Sequence, residues 1–213
     1  VSHELRAPLN GNKNLVETAI HSPKIPEDMK EKFLIPALRS SKFLLHMIND
    51  ILDMSQIKEK KLRLTFESGD LVETLKSTAQ LVELQAKKKG IKLALELVPK
   101  LPKNFSTDHI RLSQVILNLL TNSIKFTKEG GVIKLLAESV KKTLSWYKIS
   151  VEDSGIGMSR ENIKKLFSSY THIEFEGRQK MNPTGIGLGL NIAYTLAEFL
   201  SPKDQQEGIK VES

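Results

Sequence analysis

The chain has 213 residues, 39% of them hydrophobic and 27% charged, the balance of a soluble folded protein with room for one large domain or two small ones. It contains no cysteine, which excludes disulfides, thiolate metal sites and cysteine nucleophiles. The formal charge of +7 is spread in small clusters at Lys58–Lys61, Lys87–Lys89 and Lys141–Lys142, with no aromatics interleaved, which argues against a nucleic-acid-binding surface.

No apolar run reaches the length of a membrane span, and neither a signal-peptide core nor a start methionine opens the chain, so a segment of something longer is expected. Residues 3–21 read as a helix with a loose stripe of Leu5, Leu9, Leu15 and Ile20, interrupted by Pro8. HSPKIPED (21–28) is a break with a capping residue at Asp28. Leu34, Leu38, Ser41, Leu45, Ile48, Leu52 and Ser55, widened by Phe33, Ala37, Leu44 and Ile51, then predict one uninterrupted helix of about nine turns with a broad apolar face. A two-helix hairpin cannot hide so wide a face. Pairing with a second copy would close a four-helix bundle; packing against the rest of the chain is the alternative.

Residues 58–71 read as a charged crossing, with a domain boundary near 66. A helix is expected over 71–89, ended by Gly90, and a strand over 91–97 from the alternation of IKLALEL. Residues 98–107 read as loop, 108–126 as an amphipathic helix, and Gly130–Gly131 as a turn. Strands are expected at 132–139 and 146–153, joined by a polar hairpin, then a short helix near 160–167, a helix over 191–200 and a strand beginning with GIKV (208–211). The predicted fold class is α+β: an antiparallel helical hairpin, then a two-layer α/β sandwich with helices on one face of a mixed sheet.

Chemistry concentrates at a few places. DSGIGM (153–158) follows a strand and TGIGLGLNI (184–192) runs into a helix. Such glycines let backbone approach a ligand, and a helix N-terminus offers free N–H groups, so together they could cradle a polyphosphate; turn formation and tight packing are the plainer reading. No GxxxxGK[ST] is present, and GIGLG does not follow the first strand of a βαβ unit. Asp153 ends an apolar strand, either as a turn aspartate or as an acceptor for an exocyclic amine such as that of adenine. Asn118 and Asn122 share one helix face, as surface polars or as neutral oxygen ligands for Mg²⁺. Lys125 adds a charge for phosphate and Phe126 a ring face for a base, unless they are merely solvated and packed. The combination reads as a Mg–ATP pocket. His3 beside Glu4 is either an exposed helix polar or an imidazole nucleophile with its own proton acceptor.

SHELRAPLN (2–10), QVILNLLTNSIKFT (114–127), VEDSGIGM (151–158), LF (166–167) and GIGLGLNI (185–192) resemble, in order and spacing, the phosphoacceptor, N, first glycine, F and second glycine boxes of the two-component sensor histidine kinases. The resemblance covers essentially the whole chain. It implies a dimerisation and histidine phosphotransfer domain over 1–65 and a Bergerat-type ATP-binding domain over 66–213. By the same likeness, His3 matches the phosphorylated histidine and Glu4 its acid–base neighbour. Asn122 matches the principal magnesium ligand, Asn118 the residue beside the γ-phosphate, Lys125 a phosphate contact and Asp153 the adenine reader. Gly155 and Gly157 match the first phosphate loop. Gly185, Gly187 and Gly189, with Leu188 among them, match the second. The implied cofactors are ATP and Mg²⁺. The implied partners are a second copy and the receiver domain of a response regulator or hybrid kinase, with no nucleic acid. The segment would be cytoplasmic, any membrane attachment lying outside it. A catalytically weak dimeric scaffold and another ATPase of the same nucleotide fold are the alternatives.

The departures carry expectations of their own. Ala7 stands where the family often has a threonine or asparagine that helps position a water, so weak phosphatase activity toward a partner is expected. Ile186 replaces the usual threonine of the second glycine box. LFSSYTHI lacks the usual proline and second phenylalanine, and 168–183, with His172, Arg178 and Lys180, is the expected lid. Only two residues precede His3 and the end lacks the family's closing segment, so weakened dimerisation is expected.

Overall fold

The computed structural model describes residues 2–59, 61–98, 101–139, 147–166, 188–201 and 208–213. The chain divides into two compact units, Val1–Leu62 and Arg63–Ser213. Among the described residues, no helix is long and apolar enough to cross a membrane.

The first unit is helical. α1 (Ser2–His21) runs through Pro8. A short turn leads to α2 (Glu27–Met29), a π-helical turn (Lys30–Leu34) and α3 (Ile35–Lys58). Two expectations change here. Pro26, not Asp28, is the N-cap; Asp28 lies in the first turn, where a carboxylate faces the free N–H groups. The long helix is also not uniform. Pro36 has no N–H and its ring crowds the preceding turn; just ahead of it the Ile35 N–H reaches back five residues to the Lys30 carbonyl, widening the coil. α1 and α3 run antiparallel: Arg6 Nε donates to Asn49 Oδ1 at 2.9 Å, and Lys42 meets Glu17 at 3.2 Å. Leu52 is buried, but Leu15, Met29, Phe33, Leu44 and Met47 remain exposed, so the unit leaves much of its apolar surface uncovered.

The second unit is a two-layer α/β arrangement. β1 (Glu67–Gly69) pairs antiparallel with β3 (Phe105–Thr107). β2 (Lys92–Leu97), β4 (Val132–Ser139) and β5 (Tyr147–Asp153) form a mixed sheet in the order β2-β4-β5, with β2 parallel and β5 antiparallel to β4. α4 (Leu71–Lys88) packs on β2 and on α5 (His109–Phe126); α5 packs in turn on β4, β5 and α7 (Leu188–Leu200). The short α6 (Arg160–Lys165) follows β5 and is capped by the Ser159 hydroxyl, which accepts from the Asn162 N–H.

Pairing and burial fix the sheet's two faces. Leu93, Ile133 and Asp153 stand in one cross-strand row, and Leu95, Leu135 and Val151 in the next on the same face. Ile133, Leu135 and Ala137 are fully buried beneath the helices, with Leu71, Leu75, Val82, Ile116, Leu120, Ile192 and Leu196 completing the core. Each leucine, isoleucine or valine among them contributes roughly 1.5–3 kcal/mol by leaving water. The opposite face is polar, with Lys134 bonded to Glu96 at 2.9 Å and Lys148 to Glu138 at 3.2 Å. The hydrogen bond to Glu96, then its charge, raises the Lys134 pKa above the ordinary lysine value. This stabilisation is fully present below the unfolded-state value and is lost only as pH rises through the folded one; exposed pairs of this kind contribute little.

Several expected elements need correction. The crossing at 58–71 and the loop at 98–107 each contain a three-residue strand, β1 and β3. Their pairing is reinforced by His109, whose Nε2 lies 3.1 Å from the Phe105 carbonyl and whose Nδ1 lies 2.8 Å from Thr74 Oγ1. Phe105 also meets Tyr147 edge-on, at 5.5 Å between ring centroids. α7 begins at Leu188 rather than Asn191. Residues 208–211 form no strand, although GIKV has the alternation. The hairpin at 140–146 lies outside the described residues.

Candidate functional site

α5 is the spine of the site, and local chemistry sets both its ends. Asp108 caps the start: Oδ1 accepts from the Arg111 N–H at 3.0 Å, while Oδ2 accepts from the Thr65 N–H at 2.9 Å. At the other end Lys89 Nζ donates to the carbonyls of Ile124 and Lys125 at 2.6 and 2.9 Å, a cation on the negative end of the helix. Between them the buried side of α5 carries Ile116, Leu120, Ser123 and Ile124. Asn118 and Asn122 lie one turn apart and half-buried. Lys125 Nζ sits 5.2 Å from the centroid of the Phe126 ring.

Asp153 reaches this helix because its place beside Ile133 turns it toward the helical layer. Its Oδ2 accepts from Ser123 Oγ at 2.9 Å and its Oδ1 from the Gly155 N–H at 2.9 Å. Gly155 has no room for a side chain. A Cβ there would stand 2.5 Å from Asp153 Oδ1 and 2.9 Å from the Phe126 carbonyl oxygen. Gly157 follows at φ +67°.

A second close approach joins α5 to α7. A Cβ on Gly189 would meet Asn118 Oδ1 at 2.7 Å, so the first turn of α7 lies against the amide. Among the described residues Asn118 Nδ2 is buried with no hydrogen-bond partner, next to the first turn of α7. A donor left over in such a place matches an anion such as a phosphate oxygen. Among the described residues no three His, Asp or Glu side chains form a metal-binding group, so a cation here would depend on amide and phosphate oxygens.

The structure thus brings together Asp153, Ser123, Gly155 and the end of α5, and separately Asn118 with Gly189. His3 and Glu4 fall in the first turn of α1, and Leu188 opens α7, but their side chains are not among those described. Gly185, Ile186, Gly187, Phe167 and the expected lid over 168–183, with His172, Arg178 and Lys180, lie outside the described residues. Sequence reasoning assigns no role to Ser123 or to Thr127, whose side chain is fully buried with a hydroxyl unpartnered among the described residues. The available signal was a polar residue in phase with Ile116 and Leu120. A cavity of about 590 Å³ in the first unit, lined by Asn14, Glu17, Thr18, His21 and Ser22, contains none of the candidate residues.

Two families match the chain: the His Kinase A (phospho-acceptor) domain over residues 1–60, and the histidine kinase-, DNA gyrase B- and HSP90-like ATPase over residues 107–205. The chain is 35% identical over 192 residues to Hybrid signal transduction histidine kinase B of Dictyostelium discoideum, covering 90% of this chain and 10% of that protein. It is 33% identical over 198 residues to Aerobic respiration control sensor protein ArcB of Escherichia coli (strain K12), covering 93% of this chain and 25% of that protein. The structure of full-length ShkA in complex with AMPPNP superimposes with a TM-score of 0.59 at 27% identity, covering 92% of this chain and 39% of that one. The chain therefore spans a quarter or less of the length of these two curated relatives. With both domains matched in order along one polypeptide, the chain belongs to the sensor histidine kinases.

Proposed function

We propose that this chain is the core of an ATP-dependent protein-histidine kinase, which phosphorylates its own His3 and passes the phosphoryl group to an aspartate of a receiver domain. The observation that carries this reading is the succession of a phospho-acceptor match over 1–60 and an ATPase match over 107–205 in a single chain. Residues 1–65 would serve dimerisation and phosphotransfer, residues 66–213 nucleotide binding. The exposed Phe33, Leu44 and Met47 support a second copy as partner. The segment would be cytoplasmic, with any membrane attachment elsewhere in the full protein.

In this reading Asp153 accepts from the exocyclic amine of adenine, using lone pairs not engaged by Ser123 and Gly155. Phe126 offers its ring to the base. The amide oxygens of Asn122 and Asn118 would hold Mg²⁺, which when bound supplies positive charge to the phosphate oxygens. Asn118 Nδ2 donates to phosphate, and Lys125, released from the Phe126 ring, contributes a charge. Gly157 and then Leu188 and Gly189 offer backbone N–H groups to the phosphates, Gly185 and Gly187 would join them by family likeness, and Gly155, whose N–H is held by Asp153, lets the backbone come close. Neutral His3 offers Nε2. The Nε2–P bond forms as the bond between the γ-phosphorus and the β–γ bridging oxygen breaks, and ADP leaves. Glu4 accepts a hydrogen bond from Nδ1–H, fixes the tautomer and takes the proton. In the second transfer the N–P bond breaks as a receiver carboxylate oxygen bonds phosphorus.

A purely hydrolytic ATPase of the same fold would use a carboxylate at position 118 to activate water; Asn118 cannot act as that base. Incubation with γ-labelled ATP and Mg²⁺ tests the proposal. Acid-labile, base-stable label is expected on the wild-type chain and its loss in His3→Gln and Asn122→Asp. Label surviving in His3→Gln, or none on the wild type, would reject it; the second result would favour a non-catalytic scaffold.

A further inference from the structure

We infer that Ser123 is a positioning residue that clamps Asp153 and thereby makes the site select a purine carrying a 6-amino group over one carrying a 6-oxo group. The inference rests on the nucleotide-binding reading of Asp153 given above.

The first ground is what Ser123 does not do. Ser41, Thr74, Thr78 and Thr195 each return a hydroxyl to the carbonyl four residues back in their own helix, although Thr74 and Thr78 also meet His109 and Ser113 of α5. Ser123 instead donates to Asp153 Oδ2, thirty residues away in sequence, at 2.9 Å. The second ground is burial. Ser123 is 6% exposed and in phase with Ile116 and Leu120, where packing alone calls for an apolar side chain. A hydroxyl there is costly unless bonded, and its partner is the carboxylate.

The consequence is geometric. With Ser123 on Oδ2 and Gly155 N–H on Oδ1, both oxygens are held and the carboxylate plane cannot swing. The Ser123 proton is spent on Asp153, so what Ser123 and Asp153 together present is lone pairs only. Such a set accepts from the 6-amino group of adenine and repels the 6-oxo group of hypoxanthine or guanine. Without the clamp the carboxylate can rotate away, losing the amine bond and relieving the repulsion at once.

Calorimetric titration of the whole 213-residue chain with ATP and with ITP, which differ at position 6 and in the proton the 6-oxo base carries on N1, tests this. The wild type is expected to prefer ATP. Ser123→Ala should weaken ATP binding roughly tenfold and ITP binding much less, narrowing the ratio, and Ser123→Thr should restore it. Unchanged affinities in Ser123→Ala, or equal losses for both nucleotides, would overturn the inference while leaving the nucleotide site standing. A wild type that binds neither nucleotide would overturn the underlying reading as well. Should Ser123→Ala lose its helical circular dichroism, Ser123→Cys, which keeps the volume and weakens the bond, is judged by the same ratio.

Discussion

At Gly155 a single hydrogen atom separates a working loop from a blocked one. The backbone approaches both the Asp153 carboxylate and the Phe126 carbonyl, and the latter is main chain that cannot swing aside. Gly155→Ala is therefore expected to lower ATP affinity by at least about tenfold and to lower the urea midpoint as well; binding within twofold of wild type would refute it. Thr127 makes the opposite kind of forecast. Its buried hydroxyl has no partner, so Thr127→Val, which keeps the shape, should stabilise the fold by about 1 kcal/mol in urea denaturation. A loss of stability would mean the hydroxyl is bonded in solution. Ala7 is exposed and offers no hydrogen-bonding group, so the chain should remove phosphate from a phosphorylated receiver no faster than the receiver loses it alone. A faster loss, followed by phosphate release, would contradict that.

At the scale of the element, α5 binds the second unit together. Its cap, Asp108, uses one carboxylate oxygen on the helix and the other on the segment leading in from the first unit. Asp108→Ala should cost about 2 kcal/mol and expose residues 63–66 to protease; a cut rate equal to wild type would count against the tether. Leu120 is fully buried among the helices, and Leu120→Ala should cost about 2–5 kcal/mol by denaturant titration. α5 was legible in advance because every signal lay within residues 108–126: an aspartate cap, a 3.6-residue apolar period and a basic last turn. The ribbon of β1 and β3 was not. Each strand has three residues, too few for an alternation to register, and the pair exists through partners some forty residues apart and the His109 bridge. GIKV failed in the reverse sense, because alternation records a side-chain pattern and not backbone pairing.

For the whole molecule, the uncovered apolar surface of the first unit sets the expectation. Phe33, 59% exposed, should be covered in a self-associated state, so Phe33→Glu is expected to shift the sedimentation distribution toward monomer. An identical distribution for both chains would exclude this surface from the contact. The order of helical hairpin and α/β unit was readable from periodicity, and the helix α5 and the glycine turn after β5 from residue types at short spacing. Such features are encoded within a few turns of chain, where sequence separation and spatial separation are nearly the same. The tertiary structure alone decided that Ser123 holds Asp153, that Gly189 presses on Asn118 and that Lys89 closes α5. Those contacts join residues thirty or more positions apart, and only the packing of helix on sheet determines which of the many available side chains arrive opposite one another.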